Sequence, residues 1–412
     1  MKIRCLIYCT VLILLTGSGP ALSQISISGL TDFELRVSGD DSSPNINQTP
    51  SGGLSVYTPN IRLFLSANIN EQWFVNSVLQ ADYYEGEELS NPFFSVMNIN
   101  WSPNFDSEFT ATAGRFITPY GSYSKRLLSN SNPFVHLPLS HSVGLPLSKR
   151  LGHLSGAVLN PTLIAGTYGE DEKGLNMIYQ RMYTQGLKVS HTFGDNKWLT
   201  VDLAATLAPP SSHFGYGKHD KFASIGRLEF QPVIWAKLGI SYGNGSFMTG
   251  DTASDSLLVY DLSSYSQVLR GADLTFNYRY YTLLFEWNQS SWKAPYYDPG
   301  TSTSDNRRTG KSVIDHISGE FIYDFPFLVG SYIAFRYEQM LEGEIEIYTR
   351  DANDNKVDQS FNPWTFNRQR IEFVAGHKLQ RNIILKASYL YSDDDGPSLD
   401  DNVMAIQLSV LF

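Results

Sequence analysis

Over much of the chain, apolar and polar residues alternate one for one. Leu199, Val201, Leu203, Ala205 and Leu207 alternate with Thr200, Asp202, Ala204 and Thr206. Leu283, Phe285 and Trp287 alternate with Thr282, Leu284, Glu286 and Asn288, and Ile383, Leu385, Ala387, Tyr389 and Tyr391 with Asn382, Ile384, Lys386 and Ser388. A period of two sends successive side chains to opposite faces of a β-strand. One face of each strand suits lipid and the other suits water, which inverts the rule of soluble folds and predicts a transmembrane β-barrel.

The turns between alternating runs set the count. Seven tight hairpins are expected near Asn70-Glu71, Ser102-Pro103-Asn104, Gly194-Asp195-Asn196, Gln231-Pro232, Arg279-Tyr280, Phe325-Pro326 and Gln380-Arg381. With an opening strand near Ile25–Val37 and a closing strand from Asn402, the count is about sixteen antiparallel strands in an all-β fold. The other connections, roughly 38–59, 84–92, 117–185, 209–221, 244–267, 293–312, 342–366 and 394–401, are longer and rich in Gly, Ser, Asn and Asp. Short turns on the periplasmic side and long loops outside are what such barrels show. A further hairpin within Leu154–Met182 would make eighteen strands. Either barrel is too wide for side chains to fill, so an aqueous lumen follows.

The two ends fit an exported barrel. Lys2 and Arg4 precede an apolar run from Cys5 to Leu15, then Gly17, Gly19 and Pro20, then Ala21-Leu22-Ser23. This reads as a signal peptide over 1–23, leaving a single barrel domain over 24–412. Both cysteines lie inside that signal, so no disulfide is expected. The final strand places Met404, Ile406, Leu408, Val410 and Phe412 on one face, with Ala405, Gln407 and Ser409 on the other. An amphipathic strand with a terminal Phe resembles the end of outer-membrane proteins, which the barrel assembly machinery reads. The chain is also rich in aromatic residues, with 24 Tyr, 24 Phe and 7 Trp. Trp73, Trp101, Trp235, Trp287 and Trp292 fit interfacial girdles or hairpin ends.

A roughly sixteen-stranded chain whose third external loop, 117–185, is much the longest resembles the general and substrate-selective porins. In those proteins that loop folds inward and narrows the pore. The run Gly114-Arg115-Phe116-Ile117-Thr118-Pro119-Tyr120-Gly121 is similar to a strand-ending segment of the phosphate-selective porin relatives. The resemblance covers most of the chain as architecture and about eight residues as motif. It implies a passive pore in the outer membrane of a Gram-negative bacterium, in contact with membrane lipids and lipopolysaccharide. Porin-like barrels are often trimers, so a homotrimer is open, although no self-complementary face is legible.

Charge makes that loop distinctive. Between Glu108 and Glu170 there is no Asp or Glu, yet the stretch holds Arg115, Lys125, Arg126, Lys149 and Arg150 within a chain of formal net charge −10. A cationic block in an acidic protein needs an anionic neighbour, and three kinds are open. Passing anions would make the block a selective constriction. Wall carboxylates such as Asp82, Asp202, Glu229 or Glu286 would instead pin the loop. An acidic partner could also dock there. The phase of the strands turns Arg36, Arg62, Asp82, Asp202, Arg227, Glu286, Arg336 and Arg370 toward the water-filled side, together with Glu34, Lys188, Glu229, Lys237, Asp273, Glu320, Glu338, Glu372 and Lys386. The signs are mixed.

Other chemistry finds little footing. His136, His141 and His153 match neither a helical ligand pair nor a zinc knuckle, so no metal is expected. Asp351–Asp358 lacks the sixth-position glycine and twelfth-position Glu of a calcium loop, and Asp393-Asp394-Asp395 reads as a solvated turn. No nucleophile elbow, metalloprotease helix, phosphate loop or dinucleotide fingerprint is present, so neither an enzyme nor a cofactor is implied. The acidic balance argues against nucleic acid as a partner. The expected function is passive diffusion of small hydrophilic solutes with a slight preference for anions. The alternative is a structural barrel that encloses or docks a partner such as a multihaem cytochrome.

Overall fold

The structure, a computed structural model, describes residues 25–39, 53–82, 92–104, 107–145, 147, 175–194, 196–212, 222–247, 265–296, 308–341, 343–350, 356–363, 367–395 and 401–412. The expected signal peptide over 1–23 lies outside them.

Nineteen strand segments form one antiparallel sheet. The first half comprises β1 Ile25–Ser38, β2 Leu54–Tyr57, β3 Asn60–Asn68, β4 Trp73–Asp82, β5 Phe93–Trp101, β6 Phe109–Ile117, β7 Tyr183–Phe193, β8 Leu199–Thr206 and β9 Ala223–Val233. Then follow β10 Ala236–Ser246, β11 Ser266–Tyr278, β12 Tyr281–Tyr296, β13 Arg308–Asp324, β14 Ser331–Met340, β15 Glu344–Arg350, β16 Lys356–Pro363, β17 Arg368–Gln380, β18 Ile383–Asp394 and β19 Val403–Leu411. β2 and β3 are one wall strand, because both pair with β1, the former through Glu34↔Tyr57 and the latter through Thr31↔Ile61. β14 pairs directly with β17, so β15 and β16 stand outside the ring as a hairpin. Sixteen strands therefore form the wall.

The ring closes between β1 and β19, in a register that includes Glu34↔Gln407. At its foot Gly29 and Phe412 exchange both backbone hydrogen bonds, at 2.6 and 2.8 Å. Closure leaves no edge for another chain to extend.

The alternation that predicts the strands also sorts their faces. Leu203 is 59% exposed and Phe285 51%, whereas Thr206 and Asn288 on the opposite faces are fully buried. Apolar side chains thus look outward to lipid and polar ones inward. Near the short-turn end the outward rings pair into a girdle, with Trp235 stacked on Phe276 and Tyr281 on Tyr323 at 4.9 Å.

The hairpin β15–β16 obeys the opposite rule. Ile345 and Ile347 are buried while Glu344 faces outward. It pairs with the upper part of β13 through Lys311↔Glu346, beyond the apolar band, where the outside is water. The sequence reads 342–366 as a long connection, and the structure makes a hairpin of part of it. Most of Leu154–Met182, where the sequence allows a further hairpin, lies outside the described residues; from Leu175 to Met182 there is no strand, only a bridge between Leu145 and Leu175. Most turns fall where expected. The β9–β10 turn sits at Ile234-Trp235, slightly past Gln231-Pro232.

Candidate functional site

The described parts of the connection between β6 and β7 lie inside the barrel. Beyond Ile117 the chain turns at Gly121, whose φ of +63° favours glycine. A side chain there would also crowd Glu286, since a Cβ would stand 3.1 Å from its Oε1. A short 3-10 turn at Tyr123–Lys125 and one helical turn, α1 Leu139–Ser142, are the only helical pieces among the described residues. Pro119, Pro133 and Pro138 keep the rest irregular.

Irregular backbone buried in a barrel leaves amides and carbonyls that must find partners. The wall supplies them from its charges. Glu372 accepts the backbone N–H groups of Val135 and His136 at 3.1 and 3.2 Å, Glu338 that of Leu139 at 3.0 Å, and Glu286 that of Ser122 at 3.1 Å. The Ser122 hydroxyl also donates to Glu286. In the other direction Arg62 donates to the Leu127 carbonyl at 3.2 Å, Lys386 to that of Ser129 at 2.6 Å, and Arg336 to that of His136 at 2.9 Å. A loop solvated in this way by wall carboxylates has no need of acidic residues of its own. This gives a physical reason for the missing Asp and Glu.

The loop's bases are also engaged. Lys125 pairs with Glu229 at 2.5 Å, and Arg126 reaches both oxygens of Glu320 at 2.6 and 3.3 Å. Burial opposes the charge on Arg126, yet Glu320 more than offsets it and the pKa is raised. Burial lowers the pKa of His136 against the pull of Glu372, so the Nδ1–H of a neutral ring donates to that carboxylate at 2.9 Å. His141 on α1 is held down to about 3 by burial, with neighbouring His316 adding to the effect.

The loop divides the lumen. On one side Tyr123, Leu139, Val143, Met177 and Ile178 pack with Phe247, Leu269, Trp292, Ile314 and Ile345 of the barrel into an apolar core. On the other, between the loop and β1, β3 and β4, lies a polar cavity of about 160 Å³. Asp32, Glu34, Arg36, Arg62, Asp82 and Arg181 line it, three carboxylates and three guanidinium groups. Arg181 grips Asp82 at 2.6 and 2.7 Å, Arg36 meets Glu34 at 2.6 Å, and Asp32 accepts from Asn60 and Ser129 at 2.6 Å.

The expected site residues distribute unevenly. Arg36, Arg62, Asp82, Arg227, Glu286, Arg336 and Arg370 face the interior, and all but Arg227 contact the loop or line the cavity. Arg227 is held by Asp273 at 2.6 Å. Asp202 accepts from Ser190 on the neighbouring strand at 2.5 Å and makes no described contact with the loop. Arg115 departs from the expectation. It alternates with the inward residues Thr112, Gly114 and Phe116, pairs in register with outward Met97, and lies over the Tyr183 ring at 5.0 Å. It therefore belongs to the outer face, where its guanidinium donates to the Phe94 carbonyl at 2.7 Å. Lys149, Arg150 and His153 lie outside the described residues, as do 351–355 of the calcium-like stretch. Arg181 carried no signal in the sequence, because it lies in irregular chain. Asp32 shares the phase of Glu34 and Arg36 and was legible from it. Among the described residues no three His, Cys, Asp or Glu are grouped to hold a metal ion.

A sixteen-stranded closed ring with a third connection folded into its lumen defines a known architecture. The chain has the fold of the outer-membrane porins. The channel DcaP of Acinetobacter baumannii matches with a TM-score of 0.53 at 9% identity, over 97% of this chain and 100% of that one. An anion-selective porin from Comamonas acidovorans gives 0.51 at 10% identity, over 95% and 100%. OmpT of Vibrio cholerae, in its trimer form, gives 0.51 at 8%, over 95% and 99%. No protein-family model matches the chain, and no curated protein matches it. A porin fold sits in the Gram-negative outer membrane with its long loops outside.

Proposed function

We propose that this porin-like barrel is a channel for passive diffusion of small hydrophilic solutes. The observation that carries the reading is the polar cavity between the inserted loop and the β1–β3–β4 wall. Most of the loop's apolar residues pack elsewhere in the lumen, and on this flank charged and amide groups outnumber the apolar side chains of Tyr123, Leu127, Phe134, Val135 and Leu137. A solute there exchanges water for fixed polar groups, and no group in the cavity implies energy coupling.

The preference among ions is small on this geometry. Three guanidinium groups face three carboxylates around the cavity. The slight anion preference rests on Lys125, whose side chain keeps 49% of its exposure beside Glu229. Arg126 is spent on Glu320. A sheath around a multihaem partner is the weaker reading, because the barrel's own loop occupies the space such a partner would need. A homotrimer draws support from the trimer form of the Vibrio cholerae neighbour.

Planar-bilayer recording of the full chain tests the proposal. Stepwise conductance is expected, with a reversal potential in a potassium chloride gradient displaced slightly toward the chloride value. Absence of steps in folded protein would overturn the channel, and a clear cation preference would overturn the anion lean.

A further inference from the structure

Six charged groups line the polar cavity, and four of them are matched in contact, Arg36 with Glu34 and Arg181 with Asp82. Arg62 on β3 and Asp32 on β1 are the other two, and neither makes an ion pair among the described residues. They attract each other only through space. Lys386 also acts on Asp32 at a distance, but its ammonium is taken up by the Ser129 carbonyl at 2.6 Å and by Gln407 at 3.0 Å.

Both groups keep bonding capacity. A guanidinium carries five N–H donors, and the one described bond of Arg62 runs from Nη1 to the Leu127 carbonyl at 3.2 Å. Its Nε has no partner, and two residues along β3 the Asn60 Oδ1 has none either. A carboxylate accepts about four hydrogen bonds. Asp32 receives one from Asn60 and one from Ser129, each at 2.6 Å. Leu127 and Ser129 belong to the inserted loop, which thus sets a neutral carbonyl on the cation and a neutral hydroxyl on the anion.

Geometry narrows what could match both charges at once. Arg62 is the cross-strand partner of Leu30, so Asp32 stands on the diagonal of the same inward face. Diagonal neighbours are about 7–8 Å apart. In an α-amino acid the ammonium nitrogen lies about 2.5 Å from the carboxylate carbon. With a charge-assisted contact of about 2.8 Å at each end, the molecule spans about 8 Å. A protein cavity of roughly 150 Å³ holds benzene, which has as many heavy atoms as alanine. This cavity measures about 160 Å³. A lone anion or cation would upset its balance of three carboxylates and three guanidinium groups, whereas a zwitterion keeps it.

We infer that the cavity is a binding site for small neutral α-amino acids, with the carboxylate on Arg62 and the ammonium on Asp32. Arg62 is half-buried, but Asp32 is fully buried. The ammonium therefore takes the place of the Ser129 hydroxyl, and the carboxylate that of the Leu127 carbonyl. A charged partner replaces a neutral one at each position, and charge-assisted bonds are roughly twice as strong. Binding of the solute and release of the loop at 127–129 are then one event. The inference rests on the channel reading for the route by which the solute reaches the cavity.

Equilibrium dialysis of labelled alanine against the full chain, folded in nonionic detergent at neutral pH, tests the site. Alanine is expected to bind at least about tenfold more tightly than propionate or ethylamine, each of which lacks one of its charges. Asp32→Asn should weaken alanine by about tenfold and leave propionate unchanged, whereas Arg62→Gln should weaken both. Ser129→Ala, which removes the competing hydroxyl, should bind alanine more tightly. Glu108→Gln, in the exposed ion pair with Lys197, is expected to bind as wild type. Heat-modifiable gel mobility confirms that each variant folds, and the three ligands compared on wild-type protein decide the matter should a variant fail. Propionate or ethylamine binding as tightly as alanine would overturn the amino-acid site, as would weaker binding in Ser129→Ala. Stepwise conductance in bilayers without saturable alanine binding would overturn the site and spare the channel. Alanine binding without conductance would overturn the channel and spare the site.

Discussion

The ring of Tyr332 stands on Gly376, its cross-strand partner: a Cβ at position 376 would lie 2.2 Å from the phenol Cζ. So seated, the Tyr332 hydroxyl donates to the Pro133 carbonyl at 3.0 Å, and the ring packs with buried Phe134 and Val374. A glycine on the wall thus sets where the inserted loop is fastened. Gly376→Val should push the ring aside and loosen the loop by about 1–3 kcal/mol, the usual cost of overpacking. Tyr332→Phe removes only the hydrogen bond and should cost about 1 kcal/mol. Limited proteolysis at Lys125 and Arg126 reads the difference, with cleavage expected faster in the valine variant.

Arg126 and Glu320 are the second fastening. The Glu320 side chain is only 3% exposed, so Arg126→Ala leaves a buried charge without its partner. Such losses run to about 3–5 kcal/mol, here against loop docking and not against the barrel. Single-channel records should show larger and noisier conductance, with gel mobility of the folded barrel unchanged. The reversed pair Arg126→Glu/Glu320→Arg should recover part of the quiet state. A quiet channel in Arg126→Ala would refute the fastening role.

Loop docking should also depend on pH through His141. Its ring is buried against Tyr123 at 4.8 Å with Ser140 on Nδ1 at 3.0 Å, and His316, Glu338, Arg336 and Arg126 supply the surrounding charge. Burial, with help from His316, holds its pKa at about 3 when docked, below the roughly 6.5 of a detached loop. The detached form takes up the proton first, so docking is at full strength above about pH 6.5 and weakens as the pH falls toward about 3. By pH 4 the expected loss is on the order of 3 kcal/mol. Proteolysis with an acid-active protease should accelerate over that window, and His141→Gln should flatten the dependence.

Barrel closure has a glycine seat of its own. A Cβ at position 29 would stand 2.4 Å from the ring of Phe412. Gly29→Val should displace that ring and strain the two backbone bonds that join the first and last strands. Urea unfolding in detergent is expected to shift by about 1–3 kcal/mol. Gly319→Ala, where a Cβ would meet only ordinary contacts with Phe285 at 3.6 Å or more, serves as the unshifted control.

By itself the sequence determined the wall. Strand faces repeat every two residues, so Leu203 outward and Thr206 inward follow from neighbours in the chain, and the turns at Arg279-Tyr280 and Gln380-Arg381 follow from local breaks in that period. The length of the third connection and its lack of acidic residues were equally local facts. The tertiary structure decided what the loop's charge is for. Lys125 finds Glu229, and Arg126 finds Glu320 across 194 positions of sequence, because closing the ring brings distant strands around one lumen. It also turned Arg115 outward, since the phase of β6 is set by Phe116 packing inside. Likewise it made the hairpin β15–β16 of a stretch that the sequence reads as loop, where Glu344-Ile345-Glu346-Ile347 alternates in the opposite sense because it rises above the lipid. Alternation is a property of neighbouring residues, whereas pairing around a closed cylinder is a property of the whole chain.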